Sequence, residues 1–428
     1  MIRAYYHVLR DNPNFRLLWG AQAISLLGDW FNTIVLAALV ARYSDGSGLA
    51  IGALLLARFL PPLLVSPLAG VLLDRFDRKR LLILSDLARA LVVLGFLVVD
   101  EPGKLWIIYV LTIIQFTLSA VFEPGRSALL PSVVRHQDLI IANILGSVTW
   151  SVMLAAGGAL GGTVAALFGT SVALLIDSVT FLLSGLLIWR MRVDVPAEAA
   201  SEMPAEVVRV SRGRFGFGDF IEGLRFARQN PAVAATLFVK MGGSVGSLDT
   251  IIIVYATVLF VVGQDGSGSL GILWSAFGVG AAIGPFLVNR FNDGTVRCMR
   301  RLIIWGYAFI VIGWMLLGGA GSLEIAALAL LVRAIGSDVY WMYSSVILQK
   351  TVPDRYLGRI FALDMALFQL STVVSVIVTG ALLEILGSEA VRQIVYWTGA
   401  VALVPLILWI LMVVWIERQP VAAPAVEV

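Results

Sequence analysis

Seven ionisable residues, Asp29, Arg58, Asp177, Lys240, Asp249, Arg333 and Asp338, stand in the middle of long apolar stretches. An isolated charge at the centre of a hydrocarbon layer costs on the order of 2.5–3.5 kcal/mol on insertion scales. Such groups persist by pairing or by facing a water-filled cavity. The chemistry they offer there is the binding of a proton, an ion or a charged organic group. Spacing narrows the partners. At 1.5 Å per residue, Asp29 lies ~21 Å and Arg58 ~24 Å from the same end of neighbouring stretches, and Asp249 and Arg333 both come out at ~23–24 Å. The expected pairs are Asp29–Arg58 and Asp249–Arg333, with Asp338 competing for Arg333 on its own helix. Breaking or protonating one pair would shift the balance between two arrangements of the helices; a static pair fixing helix register is the alternative. Asp86, Arg89 and Asp364 sit within two turns of a stretch end, where water can reach them.

Composition makes these residues intramembrane. Of 428 residues, 59% are hydrophobic and 14% charged, against about 45–50% and 25% in soluble domains. A soluble fold must present a polar skin that this chain lacks, so lipid is the solvent for most of it. A helix crosses a bilayer with about 20 apolar residues. Twelve such spans can be marked, near Phe15–Ala41, Ala50–Asp74, Leu81–Val99, Leu105–Phe122, Leu139–Phe168, Ser171–Trp189, Val233–Val258, Ser269–Arg290, Leu302–Gly319, Leu323–Leu348, Gly358–Ile385 and Ile394–Ile416. Of the 31 Lys and Arg, 24 fall in segments on the side of the N-terminus, and only Arg42, Lys104 and Arg392 fall in the opposite loops. Positive residues mark the cytoplasmic side, so both termini are expected in the cytoplasm of a cell whose inner membrane holds the chain. The N-terminal MIRAYYHVLRDNPNF lacks the compact apolar run of a removable signal peptide.

Several chemistries are excluded. A net charge of +3 is too slight for a nucleic-acid partner. The single cysteine, Cys298, rules out a disulfide framework or a cysteine-rich metal site. His7 and His136 both lie in polar connecting segments. No nucleophile–base or metal-ligand constellation stands within reach of the membrane, so neither an enzyme nor a cofactor is expected. Without a Gly-x-x-x-x-Gly-Lys-Ser/Thr loop to cradle a nucleotide, energy must come from a gradient.

The expected fold is an all-α membrane protein of twelve transmembrane helices in two pseudo-symmetric six-helix bundles, residues 1–191 and 231–428, joined by a cytoplasmic segment, 192–230. The bundles echo one another: Asp29 and Asp249 lie 220 residues apart, and VRHQDL matches VPDRYL at an offset of 218. In the joining segment, residues 196–206 form a polar linker, and Asp219 with Glu222 opens an amphipathic helix, GDFIEGLRFARQNP. Its arginines can meet lipid headgroups, or the helix can be a solvated connector.

The loop after the second span reads Gly70-Val-Leu-Leu-Asp74-Arg75-Phe-Asp-Arg78-Lys79-Arg80. It resembles the loop signature of the major facilitator superfamily. NFRLLW (14–19), LLGDW (26–30), FEPGRSALLP (122–131) and GLRFARQNP (223–231) resemble the branch containing macrolide exporters and the enterobactin exporter. Gly157-Gly158-Ala-Leu-Gly161-Gly162 keeps the small-residue packing face of the family's helix-5 motif without its proline, and the fourth span lacks the arginine common in proton-coupled drug antiporters. The resemblance implies a central cavity lined by helices 1, 4, 7 and 10, which places Asp29, Asp249 and Arg333 at it. Gln22, Ser25, Asn32, Thr33 and Gln115 are expected to line the cavity, with interhelical hydrogen bonds as their other use. Tyr340 and Tyr343 are expected to touch substrate. Gly70, Asp74, Arg75, Arg78 and Lys79 form a candidate cytoplasmic gate, or else a basic loop that only sets topology.

The leading functional expectation is a monomeric secondary exporter of an amphipathic organic small molecule (drug, macrolide or siderophore type). It would work by alternating access as an antiporter coupled to protons or another ion, with membrane lipids as its surroundings. A lysophospholipid translocator and a non-transporting receptor or scaffold are the alternatives.

Overall fold

The computed structural model describes residues 2–135, 138–192 and 217–418. Every regular element among them is helical, and twelve helices are long and apolar enough to cross a bilayer. They are α1 (Pro13–Tyr43), α2 (Gly48–Arg75), α3 (Arg78–Gly95), α4 (Leu105–Val133), α5 (Leu139–Phe168), α6 (Thr170–Arg190), α7 in two pieces (Pro231–Gly243 and Leu248–Val254), α8 (Ser267–Asn289), α9 (Val296–Gly318), α10 (Leu323–Thr351), α11 (Asp354–Leu386) and α12 (Val391–Arg418). An even number of crossings leaves Pro13 and Arg418 at one end of the molecule. This basic end also carries the loop between α2 and α3; the other is called the far end. Side-chain caps mark several starts: Ser47 accepts from the Ala50 N–H at 3.3 Å, and Asp77 from the Arg80 N–H at 2.7 Å.

The first six helices pack chiefly among themselves, as do the last six, forming two six-helix bundles. The bundles meet along two seams, α5 against α8 and α2 against α11. Both seams are built on glycine. A Cβ at Gly162 would stand 2.5 Å from the Gly271 Cα, and one at Gly48 would stand 2.5 Å from the Gly380 carbonyl oxygen. Gly158 also faces α8, while Gly157 and Gly161 face Trp30 and Phe31 of α1. Polar links close the far end: Arg42 pairs with Asp265 at 3.1 Å, and the Ser47 hydroxyl donates to Glu384 at 2.7 Å. Midway along the α5–α8 seam, the Ser275 hydroxyl donates to the Ala155 carbonyl at 2.9 Å. Closer to the basic end, Gly280 and Gly284 of α8 turn to Leu331 and Ile335 of α10 in their own bundle.

Two helices depart from the spans expected of the sequence. α4 continues past Phe122 to Val133 through Pro124 and Pro131. Each proline removes one donor from the ladder, and burial of Phe122, Leu129 and Leu130 in a local core holds the helix through them. α7 breaks between Gly243 and Leu248, where Gly246 adopts φ +82°, the left-handed region. A break at membrane depth leaves backbone groups that need partners, and α11 supplies a row of hydroxyls. Ser371 donates to the Met241 carbonyl at 2.9 Å and Ser375 to the Ser244 carbonyl at 2.9 Å, while Thr379 accepts from the Ser247 N–H at 3.2 Å.

In the joining segment, residues 193–216, which include the expected linker, lie outside the described residues. The amphipathic helix runs Phe217–Gln229, starting two residues before the expected cap at Asp219. It docks on α11 through Glu222 and Arg359 at 3.1 Å and through Phe226 stacked on Tyr356 at 4.5 Å, leaving Leu224, Arg225 and Arg228 exposed.

Candidate substrate-binding site

One stripe of α1 lines two polar spaces. Gln22, Ser25 and Asp29 border a cavity of about 300 Å³ together with Arg89 of α3, Ser119, Phe122 and Glu123 of α4 and Trp150 of α5. One turn further toward the far end, Asn32 and Thr33 border a chamber of about 20 Å³, shared with Arg58 of α2, Thr112 and Phe116 of α4, Asp249 of α7 and Trp274 of α8. That is room for one or two waters. Trp274 stacks on Trp30 across the bundle boundary, 5.2 Å between ring centroids. A roomy cavity on the basic side and a small, water-sized chamber toward the far end thus lie in series along α1.

The charges do not pair as their heights suggest. Among the described residues, Asp29 makes no ion pair within 4 Å; Arg58 instead donates to the Thr33 hydroxyl at 2.8 Å and lies 5.1 Å from the Phe116 ring. Similar residue counts along tilted helices do not give equal heights, and the guanidinium lands one turn beyond Asp29. There it shares its chamber with Asp249 of the other bundle. The Asp249–Arg333 pair is also not formed. Arg333 packs against Gly313 of α9, with its guanidinium 4.4 Å from the Trp314 ring and 3.4 Å from the Ser337 hydroxyl. Counting residues through α7 misplaced Asp249, because the break interrupts the helix two residues before it. Asp338 makes no ion pair with Arg333 either.

Other expected residues divide. Gln115 is buried outside these two cavities. Tyr340 stacks on Tyr307 at 5.7 Å inside the second bundle, and Tyr343 is buried there too, so neither reaches the two cavities. Aromatic contact at the cavities comes instead from Phe122, Trp150 and Trp274. In the basic loop, Gly70 and Asp74 lie in the last turns of α2, and the Asp74 side chain falls outside the described ones. Arg75 is exposed. Arg78 donates to the Leu73 and Ala128 carbonyls at 3.4 and 3.0 Å, and Lys79 to the Met191 carbonyl at 2.6 Å. These bonds stitch the first bundle together and do not reach the second in this arrangement.

Sequence reasoning missed two buried ion pairs and the wall residues that α4 and α5 contribute to the cavity. Asp86 and Arg89 are 0% and 1% exposed and bonded to each other, because Phe122 and Phe181 close over the guanidinium at 4.5 and 4.3 Å. Lys240 and Asp364, both 0% exposed, pair between α7 and α11, with Ser345 accepting from the ammonium at 2.9 Å. Nearness to a span end therefore did not bring water to Asp86 or Asp364, and Arg89 meets only the inner cavity. Glu123 and Trp150 complete the cavity. The signal for Glu123 was present in the spacing of Ser119, Phe122 and Glu123, at i, i+3 and i+4 on one helical face.

The sequence profile described as Major Facilitator Superfamily matches residues 18–293, well over half of the chain. The chain belongs to the Major Facilitator Superfamily. Its relatives include a putative bacilysin exporter, BacE, of Bacillus subtilis (strain 168), 24% identical over 83% of this chain and 84% of that one. The macrolide efflux protein A of Streptococcus pyogenes is 21% identical over 87% and 90%. Among solved structures, a bacterial homologue of the human lysosomal transporter Spinster, in an inward-facing and unoccupied conformation, superposes with a TM-score of 0.71 at 14% identity, covering 96% of this chain and 99% of that one. As a superfamily member the chain is a multi-pass membrane transporter of a small molecule, not an enzyme, and it has relatives named as exporters.

Proposed function

We propose that this transporter exports an amphipathic organic cation from the cytoplasm in exchange for protons. One observation carries the reading: in the 300 Å³ cavity the Asp29 carboxylate has no ion-pair partner among the described residues, while the guanidinium beside it, Arg89, is already bonded to Asp86. A second carboxylate, Glu123, stands in the same wall but is paired with Arg126 at 3.2 Å, which leaves Asp29 as the carboxylate without a cation partner there among the described residues. Phe122 and Trp150 add aromatic faces that attract a cation with an apolar body. A single carboxylate reachable by both substrate and proton makes the two compete, which is the elementary requirement of antiport.

The cycle is alternating access between the bundles 1–191 and 231–428, joined by 192–230. The basic end faces the cytoplasm of the cell membrane by the positive-inside rule, with both termini there, so the cavity faces inward and the far end is shut. One chain carries the whole pathway and works as a monomer surrounded by lipid. When the far end opens, the α5–α8 seam parts and the chamber shared by Arg58 and Asp249 hydrates, with Arg333 nearby. The Asp74–Lys79 loop then meets the second bundle as the inner end closes.

Equilibrium binding of rhodamine 123, an aromatic cation, to the purified protein tests the site. Wild type is expected to bind it and to lose it as pH falls; Asp29→Asn, folded, binds it at least tenfold more weakly and without pH dependence. Equal affinity in Asp29→Asn removes Asp29 from the mechanism.

A further inference from the structure

The Asp86–Arg89 pair links α3 to α4 and α6 at the edge of the cavity. Arg89 reaches the cavity wall beside Asp29 and Glu123, yet its guanidinium is held by Asp86, by the Ser119 hydroxyl at 3.3 Å and between two aromatic rings. Asp86 does not line the cavity; it stands behind Arg89, and Ser184 of α6 donates to its second oxygen at 2.6 Å. A buried pair of this kind adds little net stability over an apolar replacement. Its effect falls on the potential in the cavity. With Asp86 ionised, Arg89 contributes almost no net charge and the wall is acidic; without it, the wall carries an unmatched guanidinium.

We propose that Asp86 is a specificity-determining residue that acts through Arg89: it masks the guanidinium, so the cavity selects cations, and its loss converts the transporter toward anions. The inference rests on the cation reading above and extends it to a residue that never touches substrate. It carries an asymmetry that a merely structural pair lacks. A buried carboxylate stripped of its cation neutralises, whereas a guanidinium keeps its charge. Removing the acid therefore inverts selectivity, whereas removing the base perturbs it less.

The test is uptake into proteoliposomes of two dyes built on one xanthene ring, rhodamine 123 as the cation and fluorescein as the anion, for variants verified as monodisperse. Wild type prefers the cation; if it does not, the cation reading fails before Asp86 is in question. Given that preference, Asp86→Asn lowers the cation-to-anion ratio by on the order of tenfold to a hundredfold, as one unmatched charge in a poorly screened cavity requires. Adding Arg89→Gln to Asp86→Asn raises the ratio again, because the unmatched guanidinium is gone, and Arg89→Gln alone moves the ratio less than Asp86→Asn does. An unmoved ratio in Asp86→Asn, or an equal change in Asp86→Asn and Arg89→Gln, overturns the proposal. If Asp86→Asn does not fold, Asp86→Asn/Ser119→Asp places the compensating carboxylate on the other side of Arg89. Recovery of a folded, cation-selective protein supports the mask, and its absence refutes it.

Discussion

Alanine at Gly162 puts a wedge into the seam that closes the far end. Its Cβ would lie 2.5 Å from the Gly271 Cα and 2.8 Å from the Ser267 carbonyl oxygen. Carbon atoms settle at ~3.5–4.0 Å, so α5 and α8 must separate by about 1 Å locally. Close-packed interfaces resist such insertion at about 1–3 kcal/mol. In the proposed cycle only the arrangement with the far end closed makes this contact, so the cost falls on that state and not on the fold. A tenfold change in population corresponds to about 1.4 kcal/mol, so Gly162→Ala is expected to enrich the far-end-open state by roughly tenfold. Spin labels at Leu49→Cys and Leu386→Cys, exposed positions on either side of the α2–α11 seam, in a Cys298→Ser background report the distance by pulsed electron resonance. Wild type should show one short population, and Gly162→Ala a second, longer one. The control is Gly336→Ala, which crowds the Gly306 carbonyl inside the second bundle; it should lower thermal stability and leave the distance unchanged. Identical distance distributions in wild type and Gly162→Ala would refute the account of the seam.

Two further outcomes follow from buried polar groups. Lys240→Met leaves Asp364 unpaired in a dry site and is expected to cost about 3–5 kcal/mol; Lys240→Met/Asp364→Leu should recover most of it, read by thermal denaturation in detergent, and a single variant as stable as wild type contradicts the burial argument. Ser375→Ala and Thr379→Val each remove one hydrogen bond to the broken stretch of α7, worth about 1 kcal/mol. Each should slow dye transport more than it reduces folded yield, because the break positions Asp249; unchanged transport in the double variant would show that the break is not a working part.

The twelve spans were legible because hydropathy belongs to each stretch by itself, and the bias of basic loops ordered them. The ion pairs were not, since a pair depends on rotation and tilt of two helices at once. Asp29 and Arg58 come close in residue count yet part company by one turn. The break in α7 was written in GGSVGS, but small residues inside an apolar run read as packing positions until α11 brings Ser371, Ser375 and Thr379 to the freed backbone. Asp86 and Arg89 looked solvated from their place near a span end, and only the rings of Phe122 and Phe181 show how far they are buried. Gln22, Ser25 and Asp29 were singled out as polar or charged side chains in an apolar span, and in the structure they share one stripe of α1 along the cavity.

Proton-driven movement of the dye measures the central claim most directly. Proteoliposomes loaded with rhodamine 123 and given an imposed pH gradient should move it against its own concentration gradient, with counterflow of protons, and Asp29→Asn should bring that movement to the background of empty vesicles. Gradient-independent dye movement in wild type, or full gradient-driven movement in Asp29→Asn, would contradict the account.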